Sequence, residues 1–139
     1  MNEEKVIATA KATNSGHAYR TALQSHQFSL LADEPVSAGG NNEAPAPGDF
    51  LCMSLASCKA ITLRMYVQRK QWNAGEISVK VSLVKENDAA GNLVHRFICE
   101  VSVTGNLTTE QKQRLLQIEK ACPVSKLLVR GAEIVSSIG

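Results

Sequence analysis

The longest unbroken apolar pattern in the chain runs from Pro47 to Lys70. Phe50, Leu51, Met53, Leu55, Ala56, Ala60, Ile61, Leu63, Met65, Tyr66 and Val67 recur with no Pro or Gly after Gly48. At roughly 100° per residue they surround most of a helical wheel, which predicts a helix buried inside a small protein. Pro47 suits the first turn, and Asp49 complements the partial positive charge there. Upstream, Val6–Ala10 reads as a strand and Asn14–His17 as the turn after it. Tyr19–Leu31 follows as extended chain, broken near Ser25–His26. The stretch from Asp33 through Gly39 and Gly40 to Pro47 is dense in breakers and reads as a loop, the kind of segment that often carries function.

Beyond Trp72 the period changes from helical to alternating. Ile77, Val79, Val81 and Leu83 alternate with Ser78, Lys80 and Ser82. After the turn Asn87–Asn92, Phe97, Cys99, Val101 and Val103 alternate with Ile98, Glu100 and Ser102. The two runs predict an antiparallel hairpin. Thr108 and Gln111 match a capping box, opening a helix that buries Leu115, Leu116 and Ile118 and ends at Ala121. Pro123 is placed as the first residue of a second short helix with Gly131 as its stop, which makes Cys122 the N-cap. Ala132–Ile138 reads as a final strand. Strands, buried helix, hairpin, helix pair and strand make an α+β fold, with helices packed on an antiparallel sheet.

The 139 residues fit one domain, 1–139, and a hydrophobic fraction of 44% with 20% charged residues is ordinary for a globular protein. A net charge of +2 without a basic run excludes nucleic acid as the expected partner. No stretch reaches the ~18 apolar residues expected of a membrane span, and no signal-peptide core follows the charged start, so a cytoplasmic location with no membrane partner is expected. There the four cysteines should be reduced, leaving room only for a transient catalytic disulfide.

Cys122 is the thiol with the clearest physical argument. At a helix N-terminus, unsatisfied N–H groups and the positive dipole end stabilise thiolate and lower the pKa. The alternative is a small buried residue at a chain reversal. Cys58 lies midway along the apolar helix, beside Lys59 and among Ala56, Ser57 and Ala60, where a substrate has room. Cys52, six residues earlier, falls on the other side of that helix and reads as core, as does Cys99. The C-x₂-C spacing of zinc sites is absent and no His lies three to five residues from a cysteine, so no metal is expected. His17, His26 and His95 sit in turn or strand contexts without a local nucleophile.

The run Phe50–Tyr66 resembles the central-helix signature of the OsmC/Ohr family of osmotically inducible and organic-hydroperoxide-resistance proteins. Ala32–Pro35 with Gly39–Gly40, Arg69–Trp72 and Ala121–Lys126 keep the family's order around it. The resemblance implies a sheet wrapping a buried central helix in an intertwined homodimer. It also implies cysteine-based, peroxiredoxin-like reduction of organic hydroperoxides without metal or bound cofactor. Cys58 would correspond to the peroxidatic cysteine and Cys122 to the resolving one, joined as a Cys58–Cys122 disulfide that a lipoylated protein or another external thiol reduces.

One position departs from that pattern. The hydroperoxide-resistance branch carries a Glu ten residues before the peroxidatic cysteine, where it orients a catalytic Arg; here the residue is Gly48. Asp49 is the nearest carboxylate, about 100° further round the helix, and Arg20 is the arginine from the early strand region. Lys59 and Arg64 are further cations near Cys58, each also readable as solvated or interfacial charge. The missing Glu keeps a second reading open, a non-catalytic or redox-sensing dimer binding a small hydrophobic ligand. A hydrolase or acyl carrier using Cys58 is a third.

Overall fold

The computed structural model describes residues 4–139, so Met1, Asn2 and Glu3 of the charged start lie outside the described residues. The chain is α+β. It forms two compact units, one through Phe50 and one from Leu51 onward.

The first unit is a three-stranded antiparallel sheet, β1 (Lys11–Asn14), β2 (Thr21–Ser25) and β3 (Phe28–Ala32), in the order β1-β2-β3. The break expected near Ser25–His26 is the β2–β3 turn, where Ser25 pairs with Phe28. The strand expected over Val6–Ala10 does not form. The first pairing begins at Lys11, opposite Gln24, and Val6 and Ile7 are exposed. An extended run becomes a strand only where another strand meets its backbone groups. After β3 the loop folds around the Asp33 carboxylate, which accepts the backbone N–H groups of Glu34 at 2.7 Å and Glu43 at 3.1 Å. Those bonds, the Glu43 one foremost, hold the Asp33 carboxyl below its ordinary pKa, against the opposing effect of burial. Gly40 packs so closely here that a Cβ would fall 2.0 Å from the Glu34 carbonyl oxygen, which explains a glycine at this position.

Helix α1 (Pro47–Lys70) starts at the expected proline. Asp49 accepts the Ala46 N–H at 3.0 Å, tying down the first turn. From Leu51 onward α1 belongs to the second unit, and there it departs from the helix buried all round. Its buried residues, Leu55, Lys59, Leu63, Tyr66 and Val67, share one arc of about 120°. Leu51, Ile61 and Met65 are about half exposed or more on another face. By length and composition α1 is long and apolar enough to cross a membrane, contrary to the expectation of no such stretch. Core helices meet the same condition, and this one supplies Leu63, Tyr66 and Val67 to the core.

The hairpin forms as β4 (Ile77–Asn87) and β5 (Leu93–Val103), with Val79 opposite Val101 and Val81 opposite Cys99. Its turn is set by Asp88, whose side chain accepts the N–H groups of Ala90 and Asn92. Ile77, Val79, Val101 and Val103 pack on a core of Leu63, Tyr66, Val67, Ala74, Leu107 and Leu115. Helix α2 (Thr109–Ile118) carries the complete capping box of Thr108 and Gln111 and passes into a 3-10 turn, Glu119–Ala121. It buries Leu115, whereas Leu116, expected in the core, is 53% exposed. Helix α3 (Pro123–Arg130) ends at Gly131, at a φ of 76°. The expected final strand over Ala132–Ile138 does not form; Ile134, Val135 and Ile138 are exposed, and among the described residues no strand pairs with them.

Candidate active site

Cys122 sits between the 3-10 turn and α3, as their shared boundary. Its φ of −57° and ψ of 126° are the extended values that a following proline imposes. Pro123 then starts α3 without needing a hydrogen-bond partner for its nitrogen. In this position the buried Cys122 Sγ accepts the Ser125 N–H at 3.4 Å. The helix end therefore contacts the sulfur as expected, but the net effect on its proton is the reverse of the expected one. Burial pushes the Cys122 thiol up, and the neighbouring Cys58 side chain adds to the rise. The N–H groups of Ser125 and Val124 pull down without prevailing. Desolvation wins because the thiol is fully covered and its neighbour on one side is another sulfur.

That neighbour is Cys58 of α1. Both are free thiols, 64 positions apart in the chain and side by side in the second unit. Cys58 is only partly covered. It lies at the border of the buried arc, and Leu51, Ile61 and Met65, at seven before, three after and seven after, line the helix face it shares. The accessible thiol is thus flanked by exposed apolar side chains, while the thiol beside it is sealed from solvent. Such a pair can take up an oxidising equivalent at one sulfur and condense to a disulfide with the other.

Lys59, which the sequence left between activating cation and solvated charge, is neither solvated nor free. It is buried and paired with Glu119, donating to the carboxylate and, at 3.2 Å, to the backbone carbonyl of the same residue. Sequence reasoning missed Glu119 altogether, since no local pattern links residues 60 positions apart. Arg64 donates to the Gly75 carbonyl, closing the end of the helix onto the next turn. Cys99, half-buried on β5, is pushed up by burial, with the Lys59 charge opposing and Glu119 and Cys52 adding. Cys52 is likewise half-buried, so neither is the fully buried residue expected.

The other two predicted site residues belong to the first unit. Arg20 pairs with Glu43 at 3.7 Å, both about half exposed, and Asp49 is occupied with the Ala46 N–H. Space beside Gly48 is open, with nothing within 4 Å of a Cβ built there. The first unit also holds a cavity of about 510 Å³ whose lining includes Ala12, Tyr19, Leu23, Ala32, Pro47 and Phe50. Among the described residues no group of three or more His, Cys, Asp or Glu side chains is placed to hold a metal ion.

Solved structures share this architecture. One is described as an osmotic stress induced and detoxification response protein from Psychrobacter arcticus, 24% identical, with a TM-score of 0.72 over 88% of this chain and 89% of that one. An organic hydroperoxide resistance protein OsmC from Legionella pneumophila is 17% identical, with a TM-score of 0.69 and 93% of each chain covered. An organic hydroperoxide resistance protein from Elizabethkingia anophelis is 19% identical, with a TM-score of 0.69 over 94% of this chain and 92% of that one. At these identities the likeness establishes the fold. No curated protein matched the chain. The profile of the OsmC-like protein family matches residues 40–137, a span that holds Cys58, Lys59, Glu119 and Cys122. The chain belongs to the OsmC-like family.

Proposed function

We propose that this protein reduces organic hydroperoxides with its own thiols, in oxidative-stress defence in the cytoplasm. The observation that carries the reading is the pair of free thiols, a partly exposed Cys58 against a sealed Cys122. Cys58, as thiolate, attacks the outer peroxide oxygen. The O–O bond breaks, its electron pair leaves with the alkoxide, and that oxygen takes a proton to become an alcohol. Cys58 is left as a sulfenic acid. The Cys122 sulfur then attacks the Cys58 sulfur, hydroxide departs with the Cys122 proton as water, and a disulfide forms. An external dithiol, free or on a lipoylated protein, returns both sulfurs to thiols and is itself oxidised. The apolar flank of Leu51, Ile61 and Met65 favours an organic peroxide over a small polar one. Arg20, steadied by Glu43, and Asp49 enter as supporting charges on the family resemblance alone, as does the homodimer.

The test is peptide mapping by mass spectrometry after one equivalent of cumene hydroperoxide. A Cys58–Cys122 disulfide forming in step with peroxide loss is expected; Cys58→Ser abolishes turnover, and Cys122→Ser leaves Cys58 as sulfenic or sulfinic acid. Unconsumed peroxide with an unmodified Cys58 rejects the reading. The apolar cavity of the first unit would then favour the second one, binding of a small hydrophobic ligand, which native mass spectrometry of the purified protein would detect as a copurified mass.

A further inference from the structure

The Lys59 side chain is 4% exposed and that of Glu119 is 12% exposed, so this ion pair lies inside the second unit and not on its surface. The ammonium makes two bonds to one residue, to the Glu119 carboxylate and to the Glu119 carbonyl. That carbonyl stands where α2 passes into its 3-10 turn, among the last carbonyls of a helix, which find no partner further along it. A cation there satisfies the acceptor and the negative end of the helix together. Lys59 directly follows Cys58 on α1, and Glu119 opens the turn that delivers Cys122. The buried pair therefore joins the residue after one thiol to the turn before the other. A surface salt bridge would supply no such fixed link, and a buried apolar side chain would leave the carbonyl without a donor.

We propose that Lys59 is a positioning residue for the thiol pair, and this rests on the reading above for what the two thiols do. By holding the Glu119–Ala121 turn, Lys59 keeps Cys122 within reach of Cys58. A sulfenic acid on Cys58 is then captured as a disulfide before a second peroxide can oxidise it further. Lys59 itself acts on Cys122 through the turn and has no part in breaking the O–O bond.

The experiment separates the two steps by stopped-flow and quenched mass spectrometry in wild type and Lys59→Met. Loss of the Cys58 thiol to cumene hydroperoxide is expected to keep its wild-type rate. Disulfide closure is expected to slow by roughly ten- to a hundredfold, as misplacing reacting groups by about 1 Å does. Sulfinic acid accumulates on Cys58 in consequence. Because a lone buried Glu119 can prevent folding, the double variant K59M/E119L removes both charges and serves the same comparison. Diamide, which closes dithiols without peroxide, is run in parallel. If wild type consumes no hydroperoxide, the peroxidase reading fails while the diamide rates still decide the role of Lys59. Closure at the wild-type rate in either folded variant overturns the proposal, and so does an equal slowing of both steps, which a merely structural residue would cause.

Discussion

Cys122 holds its proton more tightly in the folded chain than in the unfolded one, because burial and the Cys58 side chain raise its pKa. Below the ordinary thiol value, about 8.5, both states keep the proton and the full stability is present. Above it the unfolded chain releases its proton first, so stability falls as pH rises through the raised native value. Cys99, pushed up by burial, contributes a slope of the same sign. Urea midpoints measured across pH 8 to 10 should therefore decline, and Cys122→Ser should flatten the decline. An unchanged slope in that variant would mean that the helix N–H groups prevail after all. The sequence placed this thiol at the right backbone position, because Pro123 and the end of the preceding helix are local signals. The sign of its shift was not legible, since it depends on how completely other elements cover the sulfur and on what lies opposite.

At the scale of elements, α2 and its cap show local information at its most reliable. The Thr108 hydroxyl accepts the Gln111 N–H at 3.1 Å, and the Gln111 side-chain oxygen accepts the Thr108 N–H at 2.9 Å. Thr108→Ala removes one of these bonds and is expected to cost about 1 kcal/mol, read as a lower urea midpoint at unchanged slope. The hairpin and the start of α1 at Pro47 were legible in the same way, from turn residues and period. The facing of α1 was not. Leu51, Ile61 and Met65 are as apolar as Leu55 and Leu63, and nothing in a helix that is apolar all round says which arc meets the core. Ala132–Ile138 failed for the complementary reason. Its residues suit a strand, but strand formation is decided by the partner, and among the described residues none pairs with it. The Lys59–Glu119 pair is the clearest case of information that no window along the chain contains.

For the whole molecule, the exposed apolar residues fall into runs. Val6 and Ile7, the α1 face around Cys58, and Ile134, Val135 and Ile138 all stand open to solvent in a single chain. Exposed apolar residues that cluster on one face, as Leu51, Ile61 and Met65 do on α1, mark association sites in soluble proteins. Homodimer formation, expected from the family resemblance, would cover such surface. Light scattering coupled to size exclusion should accordingly report twice the 15.0 kDa chain mass at micromolar concentration. A mass equal to one chain would remove the dimer from the proposal.

The distance along the sequence between Cys58 and Cys122 has a consequence for the unfolded chain. A bond between them would close a loop of roughly 65 residues and restrict the denatured ensemble by an amount worth on the order of 4 kcal/mol. That is comparable with the entire stability of a marginal domain. Each proposed turnover would then pass through a form more stable against unfolding than the one before or after it. Under the proposed function, resistance to proteolysis would rise while peroxide outruns the reductant and lapse once the thiols are restored, so the lifetime of the protein would follow the oxidant load.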